Sequence, residues 1–250
     1  MSHYLVGVII DDVTNVDVEK AISEVLAPYD ENMRVEPYIY KTKAELIANG
    51  KARKERYSKE DNITNYMQKY LDATTDEELY QLEIEDLDED EIDADGNELS
   101  TYNPKSKWDW WQIGGRFTDK DYTQLRDFIL YDKLSDKELA LYTRAWESFC
   151  GKRELDEEDI EALWGGFRLW NDEYYLDRYG TFDNYIKEVT SNLPYAFVDK
   201  NGWYEKGSMG WWGCDNATVD SINDYMEFAE QYFRAEENQN KYIIWVDCHI

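Results

Sequence analysis

The sequence contains few cysteines and histidines, the residues that form disulfides and bind metals in closely spaced motifs. It has 3 cysteines and 2 histidines among 250 residues. An odd, widely spaced set of cysteines excludes a disulfide framework and indicates a reducing compartment. Neither CxxC nor HExxH spacing occurs, and GxGxxG and GxxxxGK[ST] phosphate loops are also missing. Functions that depend on those motifs are therefore disfavoured, and no metal site or cofactor is assigned.

Long apolar runs are missing as well. The most apolar segment near the start, residues 4–10, is too short to span a bilayer. The first residues carry no basic n-region and no cleavage pattern. We therefore expect a cytoplasmic protein that has no membrane partner.

Positive charge is scarce: 27 basic residues oppose 55 acidic ones, for a formal net charge of -28. Long-range repulsion disfavours free nucleic acid as a direct partner. Three interpretations stay open. The charge serves solubility alone, or it accompanies a small anionic ligand held in a locally basic pocket, or it attracts a basic protein whose groove normally holds nucleic acid.

Aromatic residues are abundant, with 10 tryptophans and 21 tyrosines, which excludes a disordered chain. The two most apolar segments, residues 4–10 and 241–250, are predicted to be strands. An amphipathic helix over 15–27 follows the first and another over 218–234 precedes the last. We predict an α+β fold with a small antiparallel or mixed sheet of ferredoxin-like character. In it the terminal strands are antiparallel neighbours.

Two insertions are predicted within a single domain over 1–250. Residues 42–100 are helical and acidic, and end in a carboxylate-rich run over 83–95. That run is either a solvated loop or a protein-facing arm. A calcium loop with Gly96 at its sixth position is disfavoured but stays open, because Tyr102 stands where the bidentate glutamate is needed. Residues 119–190 are predicted to be a helical, aromatic-rich insertion whose first helix covers 119–131.

The strongest candidate for a binding site is the stretch over 103–117, which combines tryptophans, cations and a Gly-Gly pair. Its cations and amide can bind an anion, its indoles can stack on a base or sugar, and backbone amides at Gly114 and Gly115 can face the same ligand. The alternative is that the tryptophans form core. A second segment, 209–214, supplies further indoles. The predicted ligand-binding residues are Asn103, Lys105, Lys107, Trp108, Trp110, Trp111, Arg116, Trp211 and Trp212.

The only two histidines, His3 and His249, lie near the ends of the chain. If the terminal strands are antiparallel neighbours, these histidines come together. Side-chain alternation puts Asp247 on the same face as His249. The three residues are therefore the candidate catalytic cluster, for acid–base or metal chemistry. The alternative is that both histidines only satisfy backbone groups.

Several segments resemble an uncharacterised family of proteins from bacteria and their phages. They are HYLVGV at 3–8, LAPYDEN at 26–32, NPKSKWDWWQIGGRF at 103–117, MGWWG at 209–213 and VDCHI at 246–250. The resemblance covers both ends and the central motif. It implies a shared site, without a named reaction. A phage setting implies the host cytoplasm and an accessory or counter-defence role.

Together these observations predict a soluble protein whose Trp/Arg/Lys pocket binds a small, nucleotide-like anion. Whether it is an enzyme stays open. The alternative function is an acidic, phage-type inhibitor that mimics nucleic acid and blocks a basic host defence protein.

Overall fold

The computed structural model describes residues 2–117, 122–210 and 213–250. The strands within them are β1 (His3–Ile10), β2 (Arg34–Lys41), β3 (Glu98–Tyr102), β4 (Trp110–Ile113), β5 (Tyr122–Gln124), β6 (Ala196–Asp199), β7 (Gly202–Glu205) and β8 (Tyr242–His249). The helices are α1 (Val18–Leu26), α2 (Lys43–Tyr57), α3 (Asn65–Asp72), α4 (Asp76–Ile84), α5 (Asp136–Phe149), α6 (Glu157–Trp164), α7 (Asp172–Tyr179), α8 (Phe182–Val189) and α9 (Val219–Arg234).

The chain divides into two compact units. The first comprises Met1–Glu31 and Lys105–Ile250, and the second comprises Asn32–Pro104. The second contains α2, α3, α4 and a two-stranded sheet of β2 and β3. The sequence predicts a single domain with insertions over 42–100 and 119–190. The division into two units does not test that prediction, so it stays a prediction.

A mixed six-stranded sheet forms the centre of the first unit. Its strand order is β4-β8-β1-β6-β7, and β5 pairs with β8 beside β4. β1 runs antiparallel to β8, from the His3–His249 pair to the Ile10–Tyr242 pair, and parallel to β6. The predicted α+β class is therefore confirmed, and so is the pairing of the two terminal strands.

Side-chain alternation gives this sheet two apolar faces. One face packs against α1, where Ile22 and Leu26 meet Val6, Val246 and their neighbours. The other packs against α9, where Tyr225, Met226 and Phe233 meet residues such as Ile243. Buried apolar side chains contribute about 1.5–3 kcal/mol each, so these two layers supply most of the stability of the sheet. Alternate residues of β8 are thereby packed on both faces of the sheet.

Each of these helices begins at a side-chain cap. Asp17 accepts a hydrogen bond from the Lys20 amide at the start of α1. Thr218 and Ser221 form a capping box at the start of α9. The amphipathic pattern predicts both helices, and the caps show where each of them begins.

The helix predicted over 119–131 is wrong over its described part. Residues 122–124 form β5, which pairs with Tyr242–Ile244 of β8, and residues 125–127 form a short 3-10 turn. Leu125 is buried against α9. The free edge of β8 and this apolar contact override the local helical pattern. Residues 118–121 lie outside the described part of the chain.

Four helices, α5 to α8, pack around a separate aromatic cluster. Phe149 and Tyr175 stack with ring centroids 4.3 Å apart, and Tyr185 lies beside them. α6 ends at Gly165, which adopts φ of 66°, so the chain leaves the helix there. In the residues that the structure describes, no helix combines the length and the apolar character needed to cross a membrane.

Candidate functional site

The register of the terminal strands brings both histidines together. His3 is the direct partner of His249 across the β1–β8 pair, and their ring centroids lie 4.8 Å apart. Asp247 and His249 share one face of β8, while Cys248 points into the core on the opposite face. The alternation therefore places the three residues together, as the sequence predicts. Their chemical role is a separate question.

Asp247 is the buried anchor of this cluster. Its side chain is only 4% exposed, and its Oδ1 lies 2.9 Å from Nδ1 of His3. Its Oδ2 accepts a hydrogen bond from the backbone amide of Arg116 at 3.2 Å. A buried carboxylate is tolerated when such donors compensate it. Asp247 thus fixes both a histidine ring and the turn that follows β4.

The Gly-Gly pair after β4 lets the chain approach this carboxylate. Gly114 and Gly115 have φ of 68° and 64°. A Cβ on Gly115 would lie 2.3 Å from Cβ of Asp247, so no larger residue fits without displacement. Their amides do not point to a ligand, because Gly114 donates to the Trp245 carbonyl and Gly115 to the Ile113 carbonyl. The expectation of an amide cradle is therefore wrong.

Arg116 extends from this turn across the histidine pair. Its Nη2 lies 2.9 Å from Nε2 of His3, and its Nε lies 3.6 Å from Oδ2 of Asp247. The side chain is 59% exposed. Because a guanidinium always donates, Nε2 of His3 must accept, and its Nδ1 must carry the proton that Asp247 accepts. These contacts give the two ring nitrogens of His3 different hydrogen-bonding partners.

His249 has its own carboxylate. Its Nδ1 lies 2.5 Å from Oδ1 of Asp109, whose side chain is about one-third exposed. Asp109 also donates its backbone amide to the His249 carbonyl. The pairing orients the imidazole with Nδ1 toward the carboxylate and Nε2 on the far side of the ring. Two adjacent histidine–aspartate pairs therefore lie at one end of the sheet.

Trp110 borders this group of side chains. It pairs with His249 across the β4–β8 register, its ring centroid lies 6.1 Å from that of His3, and it is 47% exposed. Large exposed indoles offer a flat apolar face for a ring. The histidine cluster, as we use the term below, consists of His3, Asp109, Trp110, Arg116, Asp247 and His249.

The other tryptophans of the central stretch lie elsewhere. Trp108 is 8% exposed, and its indole nitrogen donates to the Leu26 carbonyl at 3.1 Å. Trp111 packs against the same apolar face as Trp108. In a strand, neighbouring residues face opposite sides, so Trp110 and Trp111 cannot share one wall. Of these three, Trp110 is the one that lies beside His3, the histidine that Arg116 contacts.

The remaining polar residues of the stretch are also separated. The ammonium of Lys107 forms an ion pair with Glu205 at 2.6 Å. Lys105 lines a cleft of about 550 Å³ beside α1, the end of β1 and the β6–β7 turn. Asn103 is buried within the second unit. Binding roles for these three stay predictions, outside the histidine cluster.

The second Trp-Gly segment does reach the start of β1. The hydroxyl of Ser2 donates to the Gly210 carbonyl at 2.6 Å and accepts from the Gly213 amide at 2.8 Å. Ser2 immediately precedes His3. Trp211 and Trp212, which were predicted to form a wall of the pocket, lie outside the described residues.

The sequence does not single out Asp109 as a member of the cluster. Asp109 stands between tryptophans and carries no spacing signal until the β4–β8 register is known. Ser2, which lies beside the cluster, is equally inconspicuous, because its partners Gly210 and Gly213 are distant in the chain. Among the residues that the structure describes, no group of three or more histidine, cysteine or acidic side chains is placed to hold a metal ion.

The acidic run over 83–95 is only partly a solvated surface. Glu83 pairs with Arg53 at 3.2 Å, and Glu85 with Lys69 at 2.8 Å. Asp93 accepts hydrogen bonds from the backbone amides of Asp95 and Asn97, which lowers its pKa. The carboxylates over 88–91 are exposed. That short section presents four consecutive exposed carboxylates within the second unit.

Comparisons with protein-family models, with curated proteins and with solved structures found no match. The resemblance to the bacterial and phage family therefore stays an expectation. The residues of the histidine cluster alone carry the functional argument.

Proposed function

We propose that this protein binds a small anion with a phosphoryl group and an attached ring, such as a nucleotide, at the histidine cluster. The observation that carries the proposal is the exposed guanidinium of Arg116, held in place by His3 and Asp247 within a strongly acidic chain. A cation positioned in this way presents its remaining N–H donors in a fixed orientation. Guanidinium groups bind phosphate and carboxylate bidentately for this reason.

The neighbouring side chains suit the two halves of such a ligand. His3 and His249 lie within reach of an anion on Arg116, because their rings are only 4.8 Å apart and His3 contacts that guanidinium. Trp110 offers a half-exposed ring face beside them. A phosphoryl group on the cations and a base on the indole would use both features.

The arrangement also has the parts for proton transfer. In each pair a carboxylate holds Nδ1. Nε2 of His249 is then the nitrogen that can face a ligand, whereas Nε2 of His3 contacts Arg116. Histidines oriented in this way serve as general acids and bases. We propose acid–base chemistry on the bound anion as a capacity of the site and assign no reaction to it.

Calorimetric titration tests the binding proposal. Methyl phosphate, pyrophosphate and ADP are titrated into the wild type, Arg116→Gln and Arg126→Gln. Arg126 is the matched control, because it is also exposed and bonds a neutral partner, Asn240. Loss of a charge-assisted hydrogen bond of about 1.5–3 kcal/mol predicts roughly 10- to 100-fold weaker binding for Arg116→Gln and no change for the control.

Trp110→Ala distinguishes the contribution of the ligand's ring to affinity from that of its phosphoryl group. It should weaken ADP and leave methyl phosphate unchanged, since only ADP has a ring to stack. Equal affinity of the wild type and Arg116→Gln, or no binding of any of the three anions, would contradict the proposal.

The acidic inhibitor is the second candidate, and the exposed carboxylates over 88–91 favour it. Replacing these four residues by their amides should weaken capture of a basic nucleic-acid-binding protein in a salt-dependent manner. Unchanged capture after the replacement would remove that segment from the mechanism. Arg116→Gln serves as the control, because it leaves the acidic segment intact.

A further inference from the structure

We infer that a groove in the second unit binds an amphipathic helix of a basic partner protein, with the apolar side chains of that helix on the floor of the groove and its cations at the rim. The groove is lined by the end of α3, one side of α4 and the segment that follows α4, and its volume is about 800 Å³. We call it the α4 groove. All of these elements lie within the second unit, whereas the histidine cluster belongs to the first.

The floor of the α4 groove is apolar and incompletely covered. α4 buries Leu79 in the core of this unit, together with Tyr57 and Tyr70. Further apolar side chains of α4 and its neighbouring segments form the floor, and all of them except the first stay half-buried: Ala73, Leu82, Ile84, Leu87 and Ile92. Contiguous apolar surface that remains accessible in a folded protein is typical of an interaction site.

The rim of the groove is mainly acidic. One lysine and five carboxylates line it, and all six side chains belong to exposed residues: Lys69, Asp72, Glu77, Glu78, Glu85 and Glu89. Lys69 pairs with Glu85 at 2.8 Å, and Lys43 pairs with Glu77 at 3.1 Å. Lys54 donates to the Ala73 carbonyl at one end of the groove. With these two further lysines counted, carboxylates still outnumber cations.

Two rim carboxylates keep their charge although they are hydrogen-bonded. Asp72 accepts from the side-chain amide of Gln68 at 2.8 Å, and Glu78 accepts from the backbone amide of Thr74 at 2.6 Å. Both donors are neutral, so these bonds do not cancel the negative charge. The amide of Thr74 also lowers the pKa of Glu78, which is therefore ionised at neutral pH. The rim thus attracts cations distributed along a partner.

A basic amphipathic helix fits the apolar floor and the acidic rim together. In this mode of recognition, apolar side chains at positions i, i+3, i+4 and i+7 of a helix enter the groove. Lysines and arginines beside them then meet the rim carboxylates. A second copy of this chain is disfavoured as the occupant, because a formal net charge of -28 on each copy opposes association. The apolar floor also distinguishes this binding from mimicry of nucleic acid, which uses charge alone.

Fluorescence anisotropy of labelled synthetic peptides tests the inference on the whole protein. The probe is a helix of about 18 leucines and lysines with all leucines on one face. A scrambled peptide of the same composition lacks that face, and oligolysine carries charge alone. We expect the amphipathic peptide to bind at least 10-fold more tightly than either, since burial of one leucine accounts for roughly that factor. Equal affinity of the three peptides for the wild type would overturn the inference.

Leu87→Gln and Ile63→Gln locate the peptide on the floor of the groove. Leu87 lines the α4 groove, whereas Ile63 is an exposed residue of the same unit that does not. We expect roughly 10- to 100-fold weaker binding of the amphipathic peptide by Leu87→Gln and no change in Ile63→Gln. Circular dichroism checks that both variants are folded. Equal affinity of the two folded variants would place the peptide elsewhere and overturn the inference.

A pair of double variants tests the rim. Asp72→Asn with Glu89→Gln removes two charges from the rim, and Glu60→Gln with Asp61→Asn removes two from exposed residues outside it. We expect the rim variant to bind the amphipathic peptide roughly 2- to 30-fold more weakly at low salt, the control variant to change less, and the difference to shrink at high salt. An equal change in both double variants would show that net charge alone attracts the peptide, and would overturn the inference.

Discussion

Replacing Gly115 by alanine tests the contact on which the histidine cluster is built. Gly115 adopts φ of 64°, and an added Cβ would lie 2.3 Å from Cβ and 2.6 Å from Oδ2 of Asp247. Two costs follow. A left-handed conformation costs a residue with a Cβ about 1–2 kcal/mol. Overpacking against a buried group costs about 1–3 kcal/mol more. We therefore expect Gly115→Ala to lower the free energy of unfolding by about 2–5 kcal/mol.

Gly165 provides a matched control. It has φ of 66°, and no atom lies within 4 Å of a Cβ added there. Gly165→Ala should incur only the backbone cost, and both variants lose the same unfolded-state flexibility. The difference between them, about 1–3 kcal/mol, isolates the contact with Asp247.

Urea unfolding of both variants, followed by circular dichroism, measures this difference. Calorimetry with methyl phosphate adds a second readout, since displacement of Asp247 also releases His3 and the Arg116 amide. We expect Gly115→Ala to lose binding and Gly165→Ala to retain it. Equal unfolding free energies for the two variants would refute the close approach of this turn to Asp247.

Three further predictions concern the rest of the first unit. Arg178, 13% exposed, bridges Glu188 and Asp215 at 3.2 and 3.1 Å. Arg178→Met should therefore destabilise the fold by about 3–5 kcal/mol in urea unfolding, whereas Lys20→Met, which removes an exposed pair with Glu24, should change little. Hydrogen bonds from Arg144 lower the pKa of Asp159 in the folded protein. The stabilisation that these bonds provide is therefore complete above the pKa of the unfolded state, about 3.9, and is lost as the pH falls through the pKa of the folded state. Asp159→Asn should accordingly flatten the loss of stability below pH 4 in acid titrations, and an unchanged slope would contradict this. Burial raises the pKa of Cys248, so a thiol reagent at pH 8 should modify the exposed Cys214 in the native protein and Cys248 only after denaturant is added.

The sheet was predictable because its terminal strands carry strong, independent signals. The apolar runs of β1 and β8 and the amphipathic patterns of α1 and α9 all indicate one sheet. The period of two along β8 then puts Asp247 and His249 on one face. Once the strands are paired, the meeting of His3 and His249 needs no further information.

The tryptophan stretch was harder to interpret, because its elements are short. β4 has only four residues, so the sequence does not show that Trp108 precedes it and packs under Leu26. The Gly-Gly turn also has an unexpected partner, since its close neighbour is the carboxylate of Asp247. The register between β4 and β8 determines these contacts, and the local sequence does not predict that register.

The carboxylate that contacts His249 illustrates the same point. Asp109 lies 140 positions away in the chain, and nothing in its immediate neighbours distinguishes it from a surface carboxylate. The helix predicted over 119–131 fails for a related reason, because the edge of β8 offers backbone partners that outweigh local propensity.

Long-range ¹H–¹⁵N correlation of the imidazole nitrogens tests the central claim most directly, since the chain has only 2 histidines and His3→Gln assigns them. The account predicts that Nε2 of free His3 accepts a hydrogen bond from Arg116, and that saturating methyl phosphate shifts the imidazole nitrogen signals. It also predicts that Arg116→Gln abolishes this change and Arg126→Gln does not. Imidazole signals that stay unchanged by methyl phosphate, or that respond equally in Arg116→Gln, would contradict it.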